Sequence, residues 1–204
     1  MPSRTEQKRV AYHEAGHVVI AWYYNIRCVG VSIAKESAAR FRGLFGKVPL
    51  HTHQLERELD IAMAGAAAEE KFTGKKLRGW GGNDYINAVK IAAQWSEQTG
   101  KTFDNAFLVD ISIEVDQITG CLFSAVFLDE FATNVRQLIS RAHIWGCVEA
   151  VARKLIEKGA LSSQEVTDII SVSWEESDGE EQELIIEKQQ SDGNQRPWGE
   201  WSPE

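Results

Sequence analysis

The pentapeptide His13-Glu14-Ala15-Gly16-His17 carries the residue types and the spacing of a hydrolytic metal site. Two histidines four positions apart on an α-helix share one face, a turn apart, so both imidazoles reach a single ion. Zinc with three protein ligands keeps its fourth position for water and lowers the pKa of that water to about 7. The product is a hydroxide nucleophile at neutral pH, aimed at a peptide carbonyl. Glu14 is placed to take a proton from that water rather than to bind the metal. The competing interpretation is two ordinary histidines satisfied in a core or on a surface. Helical phase favours the metal site.

The helix that must position this pair is legible. Ser3 and Glu6 have capping-box spacing. From Lys8 to Tyr24, residues Val10, His13, His17, Ala21 and Tyr24 fall on one face, and Asn25 can close the helix. Cys28–Ala34 alternates and is β-branched, as a strand is. Phe41–Leu50 predicts a second, irregular strand whose glycines and Pro49 suit a sheet edge. A second helix spans Gln54–Phe72, rich in alanine over Ile61–Ala68 so that another helix can approach closely, and Gly74 stops it. After a glycine-rich loop, Asn83 or Asp84 caps a third helix running through Trp95 or beyond. Leu108–Val115 alternates like a strand and Ala125–Asn134 suits a helix. The pattern predicts one long amphipathic helix over Asn134–Lys158, ended by Gly159, then a short helix from Ser162-Ser163-Gln164-Glu165 through Ile170.

Two histidines do not complete a zinc site. No third histidine lies in Val18–Asn25, and Glu69, Glu70, His51, His53, His143 and Asp84 are all candidates between which spacing alone does not choose. For His51 and His53 a loop after a strand is the simpler reading, and for His143 a packing or surface position on a long helix.

Several stretches, in order, resemble the peptidase domain of the FtsH family of ATP-dependent zinc metalloproteases. Ala11–Val19 looks like its zinc helix, and Val29–Ile33 and Gly43-Leu44-Phe45 like its first strands. Gly65-Ala66-Ala67-Ala68-Glu69-Glu70 resembles its Gly-Gly-Arg-x-Ala-Glu-Glu helix, and Gly81-Gly82-Asn83-Asp84 its Gly-Ala-Ser-Asn-Asp segment. Val135–Ile170 looks like its closing helices, while Asp104–Phe131 does not match. The resemblance implies a mainly α fold, an array of about six helices with a small two- or three-stranded β element. It implies Asp84 as the third zinc ligand. A carboxylate at the start of a helix, held by backbone N–H groups and kept ionised, agrees with that role. Glu69 or Glu70 is then the alternative ligand, or a partner to a zinc-bound histidine. An extended substrate would pair as an added strand along the Gly43–Val48 edge, at Gly43, Leu44, Phe45 and Gly46.

The chain departs from the family pattern. With 204 residues it suits one domain, and the expectation is a stand-alone form without the ATPase module or the membrane anchor. Gly100-Lys101-Thr102 and Gly46-Lys47 both lack the glycine a phosphate-binding loop needs, so no ATP is expected on this chain. No run of about 18 apolar residues predicts a membrane span, and no signal peptide is seen. Three cysteines without a Cys-x-x-Cys pair point to a reduced, cytoplasmic setting. Of 30 acidic and 22 basic residues, ten acids and two bases fall in Trp174–Glu204, so the tail holds the whole net charge of −8. A neutral body with an acidic tail is poorly built to bind nucleic acid. The expected division is a zinc peptidase-like domain, 1–173, and an acidic, disordered tail, 174–204.

The function these observations predict is a zinc endopeptidase acting on unfolded or flexible polypeptides, with His13, His17 and Asp84 as ligands and Glu14 as base. The alternative is a catalytically weak module that keeps the metal and recruits a separate protein partner through its acidic tail. Motor-driven family members form rings, so an oligomer is compatible with either.

Overall fold

In the computed structural model, the described residues are 3–26, 28–33, 40–41, 52–75, 84, 87–88, 91–92, 94, 98 and 125–176. Helix α1 spans Arg4–Tyr23. It starts at Ser3, whose extended backbone (φ −63°, ψ 157°) turns its hydroxyl to accept the Glu6 N–H at 3.2 Å. That cap satisfies one of the orphan donors of the first turn and draws the helix start ahead of Lys8. The chain leaves α1 through Asn25 in the left-handed region, φ 58°, a conformation asparagine tolerates well.

Strands β1 (Cys28–Ser32) and β2 (Arg40–Phe41) follow, then helix α2 (Thr52–Thr73), ended by Gly74 at φ 68°. The described positions between 84 and 98 are all helical, with Ala88, Ile91 and Ala92 in the core. Asp84, expected with Asn83 as the cap of a third helix, is itself helical, and the residues between these positions lie outside the described residues. Next come α3 (Ala125–Ser140), α4 (Ala142–Lys158), β3 (Ala160–Ser162) and α5 (Ser163–Glu176). The fold is therefore mainly α with a small antiparallel sheet of order β2-β1-β3, as expected.

The core sits where α1 lies between α2 and α4. Ala11, Ala15, Val18, Val19, Ile20 and Ala21 of α1 are all fully buried. The α1–α2 crossing is close because small residues meet there. A Cβ added to Gly16 would lie 2.5 Å from the Ala64 carbonyl oxygen and 2.7 Å from the Ala68 Cβ. Val31 pairs with Leu161 in the sheet, and both side chains join the same core.

Three expectations change. The single helix over Asn134–Lys158 is two helices, broken at Arg141, whose backbone is extended (φ −62°, ψ 138°). The Arg141 N–H turns back to Leu138 O at 3.2 Å, and the Lys71 ammonium donates to Ile139 O at 3.2 Å, supplying a partner for a carbonyl at the end of α3. No glycine or proline marks this break. The last helix runs past Ile170 to Glu176, because Trp174 folds onto Trp22 (centroids 5.3 Å apart) and His143 (4.5 Å). The helical domain therefore extends just beyond the boundary expected at Trp174. A third strand, β3, forms at a position the sequence presents only as a helix start. Of the expected second strand, Phe41–Leu50, only Phe41 is described, as part of β2. Residues 42–50, the Leu108–Val115 segment and the chain beyond 176 lie outside the described residues. Among the described residues no helix is long and apolar enough to cross a membrane.

Candidate metal centre

The α1–α2 crossing puts His13 and His17 on the surface of α2. His17 is 5 % exposed, and its Nδ1 lies 2.6 Å from the carbonyl oxygen of Ile61. A carbonyl only accepts, so Nδ1 carries a proton, and in the neutral ring Nε2 is then the nitrogen with the lone pair. The crossing tolerates both rings because residue 65 is glycine. A Cβ there would meet His17 Nε2, and would lie 2.7 Å from His13 Nε2. Gly65 thus shapes the recess in which both nitrogens face outward.

Asp84 arrives from the helical segment after α2. Its Oδ2 is 2.9 Å from His13 Nε2 and 3.4 Å from His17 Nε2, and the two Nε2 atoms are 3.1 Å apart. The ligand atoms of His13, His17 and Asp84 all lie within 4.8 Å of one another. The donor set suits zinc. Ligands at 2.0–2.1 Å on a tetrahedron are separated by about 3.3 Å, close to the triangle formed here. The Asp84 side chain is 38 % exposed against 7 % for His17, so the cluster opens to solvent on the Asp84 side.

The other candidates are placed differently. Glu69 faces the far edge of the His13 ring, Oε2 3.4 Å from Nδ1, while its Oε1 accepts from Arg9 Nη1 at 3.2 Å. A histidine whose Nδ1 faces a carboxylate leaves Nε2 to the cluster. Glu69 therefore stands behind His13 rather than among the three atoms. Glu70 is clamped by Arg136, with Nε and Nη2 donating to its two oxygens at 2.6 and 3.2 Å, and is not brought to the cluster. Glu14 sits on the same turn of α1 as the histidines and is buried, at 8 % exposure. His143 is buried against Trp174, apart from this group. His51, the His53 side chain and Gly43–Gly46 lie outside the described residues.

Electrostatics follow from this packing. Burial pulls the His13 pKa down, but hydrogen bonds donated by its ring to the Asp84 and Glu69 carboxylates and the nearby charges of Asp84 and Glu14 outweigh it, raising it to about 9. Burial pushes Asp84 up, but both imidazoles hold it well below the usual carboxylate range. The shifts of His13 and Asp84 favour the charged forms of those two side chains together. A cation would take the place of the proton.

Reasoning from the sequence alone missed three contributors: Gly65 as a steric requirement, the Ile61 carbonyl as a tautomer lock, and Arg9. Only Gly65 left a signal. A lone glycine amid alanines costs a helix about 1 kcal/mol, so it invites a packing explanation.

Comparisons with known proteins place the chain in a family. The model of peptidase family M41 matches residues 1–169. The chain is 29 % identical to the ATP-dependent zinc metalloprotease FtsH of Helicobacter pylori over 213 residues, covering 93 % of this chain and 33 % of that protein. It is 26 % identical to the corresponding protein of Cupriavidus metallidurans, over 86 % of this chain and 27 % of that one. It is 23 % identical to the mitochondrial inner membrane m-AAA protease component yta12 of Schizosaccharomyces pombe, over 82 % and 24 %. The chain thus spans about a quarter to a third of the length of these relatives. With a family model matching most of its length, the chain belongs to peptidase family M41.

Proposed function

We propose that this protein is a zinc-dependent endopeptidase that hydrolyses peptide bonds in unfolded or flexible polypeptides. The observation that carries this reading is the convergence of His13 Nε2, His17 Nε2 and Asp84 Oδ2 beside an intact Glu14. The names of the relatives, zinc metalloproteases, support the same metal and reaction class.

His13, His17 and Asp84 would hold the ion. Bound there, zinc supplies a Lewis acid that polarises the scissile carbonyl and acidifies a water. The chain's own residues do the rest. Ile61 O and Glu69 orient the two imidazoles through their Nδ1 atoms, so neither Nε2 has to reorganise. The Glu14 carboxylate takes the proton of the attacking water and returns it to the leaving amine. A substrate strand added along Gly43, Leu44, Phe45 and Gly46 would bring an extended backbone to the centre by main-chain pairing, which tolerates many side chains. In this reading the peptidase unit, expected as 1–173, runs to the end of α5 at Glu176, with the acidic tail beyond it as the candidate dock for a protein partner. No step requires ATP on this chain, and the cysteine pattern suits a cytoplasmic setting.

Purified protein should hold about one zinc per chain and cleave a casein-type substrate. Glu14→Gln should keep the metal and lose at least about a hundredfold in cleavage, the scale of a general base. Full activity in Glu14→Gln would refute the mechanism. Zinc without cleavage of any unfolded substrate would favour a binding module.

A further inference from the structure

The structure assigns Arg9 as a positioning residue for the metal centre, acting through Glu69 on His13; this rests on the zinc-site reading above. Arg9 lies four residues before His13 on α1, so both side chains leave the same helical face a turn apart. Glu69 projects from α2 and meets both at once. Its Oε1 accepts from Arg9 Nη1 at 3.2 Å and its Oε2 faces His13 Nδ1 at 3.4 Å. One carboxylate thus has two partners, one for each oxygen.

That division has a geometric consequence. A glutamate on α2 with only His13 as partner can rotate its carboxylate about χ3 and swing its chain among rotamers. Pinning Oε1 removes that freedom and leaves Oε2 beside Nδ1. The imidazole is then held with Nε2 turned to His17 and Asp84. Exposure separates the members of the chain: the Glu69 side chain is 10 % exposed, while Arg9 is 49 % exposed at the rim. Only the Arg9 end of the pair is exposed, and there water screens the attraction and limits its worth to stability. Its effect falls on the orientation of the buried group it holds.

The test uses the full-length chain and zinc competed against a chromogenic chelator, with thermal unfolding of the metal-free protein alongside. Outer partners of metal-bound histidines are worth about 10–100-fold in metal affinity. Glu69→Ala should fall in that range. Arg9→Met, one contact further out, should weaken zinc about threefold to tenfold on the same scale. Arg9→Lys, which can still reach Oε1, should recover most of the loss. The metal-free unfolding midpoint of Arg9→Met should stay at the parent value. In the Glu69→Ala background Arg9→Met should have no further effect, because a residue acting only through Glu69 has nothing left to act on.

Unchanged zinc affinity in Arg9→Met, or an undiminished loss in the Glu69→Ala background, overturns the assignment. So does a lowered metal-free midpoint with unaltered zinc affinity, which marks a plain surface ion pair. A parent protein that binds no zinc removes the zinc-site reading itself, and the inference with it. Because Arg9 lies half exposed at a helix surface, its variants should fold even where Glu69→Ala does not.

Discussion

At the scale of single residues, the site depends on an absent side chain as much as on those present. Gly65 sits in α2 where alanine would be the better helix former by about 1 kcal/mol. A Cβ at that position collides with the Nε2 atoms of both histidines, the atoms that face Asp84. Gly65→Ala therefore sets a propensity gain against displaced imidazoles. The expected outcome is loss of zinc binding by at least about tenfold, as when a histidine's outer partner is removed, with little or no gain in the metal-free unfolding midpoint. A variant that binds zinc like the parent and unfolds later would show that the recess has room to spare.

At the scale of elements, the same logic governs how α1 meets α2. Gly16, inside the His-Glu-x-x-His pentapeptide, contributes no chemistry but lets the helices touch, with Ala64 and Ala68 opposite. Gly16→Val would force the helices apart and should cost about 1–3 kcal/mol by overpacking, read as a lower denaturant midpoint, with zinc affinity falling as well. A second element-level prediction concerns α5. Ser162 and Glu165 form a reciprocal capping box. The Ser162 N–H and hydroxyl donate to Glu165 Oε2 at 2.9 and 2.8 Å, and the Glu165 N–H donates to Ser162 Oγ at 3.3 Å. The hydrogen bond from Lys158, then those from the Ser162 backbone and hydroxyl, hold the Glu165 pKa at about 2, below its usual 4.5. A depressed carboxylate stabilises the fold above its unfolded pKa and loses that contribution as pH falls through its folded pKa. Glu165→Gln should unfold earlier than the parent above about pH 4.5 and converge with it near pH 2. The gap should shrink in high salt, because the group is exposed. Parallel pH profiles would remove this account of the cap.

For the whole molecule, the question is where the folded domain stops and the acidic tail begins. Trp174 packs on Trp22 of α1 and His143 of α4, so the end of α5 ties back to the helix that carries the histidines. Truncation after 176 should leave zinc content and the unfolding midpoint at their parent values. Truncation after 173 removes the Trp174 ring and should cost about 2 kcal/mol, the scale of a lost aromatic contact with its buried area. Equal stability of the two truncations would mean that the Trp174 packing contributes nothing. A loss of casein cleavage on removing only 177–204 would make the tail part of the working peptidase rather than a dock for a partner.

What the sequence determined by itself was local. The start of α1 at Ser3, its exit at Asn25, the stops at Gly74 and Gly159, and the juxtaposition of His13 with His17 depend on residues within about a turn of one another, and the chain encodes them directly. Which acid meets the imidazoles was a different kind of question. Glu69, Glu70 and Asp84 were all chemically suited, and the choice rests on how helices far apart in sequence cross. In the fold Asp84 comes to the Nε2 side, Glu69 goes to the Nδ1 side, and Glu70 turns to Arg136. The break at Arg141 and the strand β3 were hidden for the same reason: the partners that stabilise them, Lys71 and β1, lie about 70 and 130 residues away. Periodicity reports which face of an element is apolar. It carries no information about which distant polar group will stand opposite, and that pairing is set only when the elements pack.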